Sequence, residues 1–103
     1  MITSAQLNSA MAEIIAGTAS QTVALTTAYM CNTTANTVVV NVAVVPAGNN
    51  SPAECLIYNQ LEIPALDTRI IDTEKLILGN GDSIWANTSV DGSVIMTVSS
   101  VGI

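Results

Sequence analysis

Residues 56–88, LIYNQLEIPALDTRIIDTEKLILGNGDSIWANT, alternate short apolar pulses with turn-forming residues, and that punctuation points to β structure. Tyr58, Leu61 and Ile63 run into a break at Pro64, and Ile70 and Ile71 form a second pulse. Gly79-Asn80-Gly81-Asp82 then turns the chain before Ser83-Ile84-Trp85-Ala86. The stretch carries no evident chemistry, which suits a protein that holds something more than one that converts it.

The same grammar extends in both directions. From Gln21 the period is two: Val23, Leu25, Thr27 and Tyr29 alternate with Thr22, Ala24, Thr26 and Ala28, as in a strand with two different faces. After the polar turn from Asn32 to Asn36, Thr37 to Val45 is β-branched with apolar residues on both faces, which fits a central strand. These two segments are expected to pair as an antiparallel hairpin. Beyond the long loop from Pro46 to Glu54, strands are expected near Cys55 to Ile63, Asp67 to Asp72, Ile77-Leu78, Ser83 to Asn87 and Ser93 to Val101. Asp91-Gly92 supplies the positive φ of a tight turn and predicts a hairpin between the last two. In the final strand Val94, Met96 and Val98 form the core face, with Ile95, Thr97 and Ser99 opposite.

Residues 3–17 read differently. Thr3 with Gln6 matches a capping box, Leu7, Met11, Ile14 and Ile15 fall at helical spacing, and Gly17 closes the segment. A short amphipathic helix is one reading. The other makes Glu13 to Ala16 a first strand behind an arm that reaches another subunit. Either way Leu7, Met11, Ile14 and Ile15 are the candidate interface. The expected organisation is an N-terminal helix or docking arm over 1–20 and a β-sandwich over 21–103. The fold class is all-β: an antiparallel sandwich, Ig-like or jelly-roll-like, of six to seven short strands.

Composition bounds the partners. The 103 residues suffice for one domain, yet only 10% are charged and 50% are hydrophobic, against roughly a quarter charged in an ordinary soluble domain. Some apolar surface is therefore expected to be covered by neighbouring subunits, in a homo-oligomer, with a trimer as the working expectation. The net charge is −6 and Arg69 and Lys75 are the only basic side chains, so neither nucleic acid nor an anionic membrane surface is an expected partner. The run from Val38 to Val45 is the strongest apolar stretch, but it is short and interrupted by Asn41. The N-terminal residues lack the basic and apolar regions of a signal peptide.

With no histidine, the chain lacks the commonest general base and metal ligand, and no catalytic, cofactor-binding or metal residues are expected. Asp67, Asp72, Glu74 and Asp82 are the one acidic cluster in sequence; a carboxylate pair or a calcium site competes there with turn capping. Cys31 and Cys55 match no redox or zinc spacing and read as free thiols in or beside the core, or as a cross-strand disulfide. Trp85 either straddles the core edge or offers a stacking platform for a sugar. Asn32-Thr33-Thr34, Asn49-Asn50-Ser51 and Asn87-Thr88-Ser89 match glycosylation acceptors formally and are read as chance matches.

Ala28-Tyr29-Met30 with Asn32-Thr33-Thr34, Leu56-Ile57-Tyr58, Thr68 to Asp72, Lys75 to Leu78, and Gly81 to Ile84 with Ala86 together resemble small β-sandwich virion structural proteins of tailed bacteriophages. The resemblance covers roughly residues 22–103 and rests on core and turn positions. It implies a non-enzymatic virion protein assembled in the host bacterial cytoplasm, without a cofactor. The expected role is capsid decoration or cement, with the major capsid protein or other virion proteins as partners. A tail, collar or fibre accessory protein and a host-adhesion or glycan-binding module are the alternatives.

Overall fold

The computed structural model describes residues 2–49, 51–71 and 76–103. Among them the chain forms nine strands: β1 (Ile2–Leu7), β2 (Ala12–Ala16), β3 (Val23–Asn32), β4 (Val38–Val45), β5 (Leu56–Ile63), β6 (Thr68–Ile71), β7 (Leu76–Leu78), β8 (Ser83–Thr88) and β9 (Val94–Gly102). One 3-10 turn, Pro52–Glu54, interrupts the loop before β5. Every strand pair is antiparallel, and the strands divide into two sheets. The front sheet has the order β1-β9-β3-β6, with β7 also on β3; the back sheet has the order β2-β8-β4-β5. Leu7, Val23, Met30, Val94, Met96 and Val98 of the front sheet share one sandwich-like core with Ile14, Val38, Val40, Val42, Ile63 and Ile84 of the back. No helix among the described residues is long and apolar enough to cross a membrane.

The N-terminal helix is not formed; of the two readings, the one that makes Glu13 to Ala16 a first strand matches β2, while residues 2–7 pair as β1 with β9 of the same chain. β1 pairs with β9 and β2 with β8, which raises the strand number above the six or seven expected. Adjacent β-branched Ile14 and Ile15 suit a pleated surface, and the presumed capping residue Gln6 instead donates its amide to the Gly92 carbonyl at 3.2 Å. Gly17 is no helix cap. Its backbone bonds to Asp82 and Gly81, and a side chain there would run into the carbonyl oxygens of Leu78 and Gly79.

Neither expected hairpin exists, because both connections cross between sheets. β3 lies in the front sheet and β4 in the back, β8 in the back and β9 in the front. Asn32 explains the first crossing. Its buried amide donates to the carbonyls of Asn36, Ile63 and Pro64 at 2.8, 3.1 and 3.2 Å, while its oxygen accepts the Thr34 N–H and hydroxyl at 2.9 and 2.8 Å. One side chain thus ties the end of β3 and its turn to the end of β5 in the opposite sheet. At the second crossing Gly92 does have positive φ, +72°, but Asp91 accepts the Ser9 N–H and Thr88 meets Ser93 hydroxyl to hydroxyl at 3.1 Å. Gly92 takes the positive φ the sequence led one to expect and Asp91 does not, and the turn joins sheets instead of neighbouring strands.

Candidate interaction face

A sheet face is defined by register, since residues directly opposite one another point to the same side. On the outside of the front sheet one row runs Ser4, Thr97, Tyr29, Ile70 and the next Gln6, Ile95, Cys31, Thr68. Below them lie Ile2, Ser99 and Thr27, then Val101, Ala24 and Ile77. Tyr29 belongs to this face only because β3 carries an irregularity between Leu25 and Thr27. Val23 and Leu25 are buried, Thr26 is the extra residue, and beyond it burial shifts to Met30 and Asn32.

Ile2, Tyr29, Ile70, Ile77, Ile95 and Val101 are all exposed on this face, Ile2 by 78% and Ile77 by 66%. Between them lie hydroxyls and small side chains. Among the described residues no charged side chain lies on this face: Arg69, the basic residue of these strands, is on the Met30 side by register, exposed at the sheet edge, and donates to the Glu62 carbonyl at 3.0 Å. The acidic residues of the described strands, Glu13 and Glu62, belong to the back sheet.

The back sheet's outer surface has the opposite character. Asn87 donates to the Ser9 carbonyl, Asn41 donates to the Asn87 side chain, and the Gln60 N–H donates to Asn41, at 3.0, 3.0 and 2.7 Å. Trp85 is half-buried there, with its indole N–H on the Ser83 hydroxyl at 2.8 Å, which is the core-edge reading.

The other candidates resolve individually. Leu7 and Ile14 lie in the domain's own core, at 1% and 9% exposure, Ile15 packs against it and Met11 is half-buried, so these four do not make one outward stripe. Their helical spacing is the coincidence of two strands entering opposite sheets. Asp82 caps its turn by accepting the N–H groups of Ala47 and Gly79 at 2.9 and 3.0 Å, and Asp67 accepts the Thr68 N–H. Asp72 and Glu74 lie outside the described residues. No group of three or more His, Cys, Asp or Glu among the described residues could hold a metal ion. Cys31 and Cys55 are free, half-buried thiols. Asn32 is 1% exposed, so its acceptor-like sequence cannot be glycosylated in the folded chain.

Between the sheets, Leu25, Val42, Ile71, Leu76, Ile84 and Met96 are among the residues that line a small apolar cleft. The outer front face is the feature that sequence reasoning missed; its signal was the absence of acids from the front-sheet strands of a chain with charge −6. No protein-family model, no curated protein and no solved structure matches the chain.

Proposed function

We propose that this chain is a non-enzymatic virion structural protein of a tailed bacteriophage, a β-sandwich that decorates and cements the capsid by laying its front face on the major capsid protein or a neighbouring virion protein. The observation that carries the reading is a face with six exposed apolar side chains and, among the described residues, no charged one. Contiguous apolar patches of several hundred Å² mark protein contact surfaces. The front sheet is four strand positions wide, β6 and β7 sharing one edge, with about 4.8 Å between strands, and its central strands are nine and ten residues long, a face of roughly 550 Å², less than the ~800 Å² per partner of a standard stable interface. A single copy would bind weakly. Many symmetric copies on a repeating surface would bind firmly, which is the logic of a cement protein.

The resemblance of core and turn residues to phage structural proteins supports the same reading, and a collar or tail location would use the same face. A glycan-binding module is less well supported, because the indole of Trp85 is half-buried and bonded to Ser83. A density map of the intact particle tests the proposal. The front sheet is expected to face the capsid lattice with the Asn41–Asn87 surface outward; density for the protein at a fibre tip, or none on the particle, would overturn it.

A further inference from the structure

Sheets with open edges are ready templates for another strand, and folded proteins ordinarily guard them with charge, proline, bulges or brevity. Three of the four edges here are guarded. β2 carries Glu13 and an irregularity beside it; β5 carries Glu62, two register shifts and Gln60 at φ +57°. The third edge is divided between β6, four residues with Arg69, and β7, three residues. β1 is different. Ile2-Thr3-Ser4-Ala5-Gln6-Leu7 has no charge, no proline and an unbroken register with β9, and among the described residues no strand pairs with its other side.

We propose that β1 is a strand-addition site whose occupant is β1 of a second copy of this chain, paired antiparallel across a two-fold axis. Charge favours this occupant, since the chain carries −6 and this edge can meet its own copy without setting acid against acid. Pairing would join the two front sheets into one, and the outer face available for docking would grow from roughly 550 to roughly 1,100 Å². The inference deepens the docking reading above and rests on it for its purpose, though not for its geometry. Pairing of a strand with itself closes at two copies, so it predicts dimers where the sequence suggested a trimer.

Period-two alternation restricts the register. Symmetric pairings that keep Thr3, Ala5 and Leu7 on the core side and overlap most of the strand set Ser4 opposite Ile2, Ser4 or Gln6 of the second copy, with the two Ser4 positions about 4.5–8 Å apart. Like charges at this position should therefore repel. The test is sedimentation of the full chain over a concentration series, with Ser4→Lys, Ser4→Glu, their equimolar mixture and Tyr29→Lys, alongside amide exchange of the wild type.

The expected result is a wild-type dimer that each Ser4 variant weakens at least about fivefold, that the mixture restores, and that Tyr29→Lys leaves within about twofold. Alternate β1 amides should gain protection as the dimer forms. A monomer at all concentrations, a dimer lost with Tyr29→Lys but indifferent to Ser4, or β1 amides that stay unprotected in the dimer would each overturn the proposal. A dimer that fails to bind particles would count against the docking reading alone, and particle binding by a protein that stays monomeric would count against this inference alone.

Discussion

Tyr29 and Ile70 sit directly opposite one another on β3 and β6, both exposed, 41% and 57%, on a face where no described residue is charged. Such a cross-strand pair contributes little to an isolated domain and much to a contact that covers it. Tyr29→Lys is expected to leave Tm within about 4 °C of wild type, as for most exposed substitutions, and to reduce binding of an apolar dye to the protein. A large loss of Tm would mean that Tyr29 is a folding residue.

Asn32 is expected to be the most sensitive polar position in the chain. Asn32→Asp keeps the shape but replaces the amide that donates to Asn36, Ile63 and Pro64 with a carboxylate oxygen facing three carbonyls. Leaving buried acceptors unpaired beside a charge should cost about 3 kcal/mol or more, read as a denaturant midpoint shift at unchanged slope. A shift below about 1 kcal/mol would show that water replaces these bonds.

Leu7→Ala should destabilise the whole domain by about 2–4 kcal/mol, because Leu7 is a fully buried member of the shared core. If the first residues were a detached arm, the substitution would leave the thermal transition unchanged. Differential scanning calorimetry decides between these outcomes.

How much of this was legible in the sequence depended on whether the signal was local. Period two and turn chemistry located β3, β4, β5, β8 and β9 to within a few residues, and the buried face of β9 was read correctly at Val94, Met96 and Val98. Which strands pair is a long-range property. The turns at Asn32 and Gly92 look the same whether a chain returns beside itself or crosses to the other sheet, and the deciding bond from Asn32 to Ile63 spans 31 residues. The interaction face was hidden for a related reason. A single extra residue, Thr26, inverts the alternation of β3, so that Tyr29 leaves the side on which its spacing from Leu25 had put it.

Asp91 gives a pH signature. The Ser9 N–H first, and its hydroxyl second, hold the Asp91 carboxyl below its ordinary 3.8, so ionised Asp91 stabilises the fold above that value and the contribution is lost as pH falls through the lowered one. The difference in Tm between wild type and Asp91→Asn should be constant above about pH 5 and shrink below about pH 4. A difference unchanged down to pH 2 would show that Asp91 acts by shape alone.

The central claim is that the front face attaches this protein to a particle and stabilises it. The most direct test is add-back to particles that lack it, with genome release followed on heating. Wild-type protein should raise the release temperature and Tyr29→Lys, equally folded, should not. Full protection by Tyr29→Lys, or particles that are stable without the protein yet fail to adsorb to cells, would contradict the account.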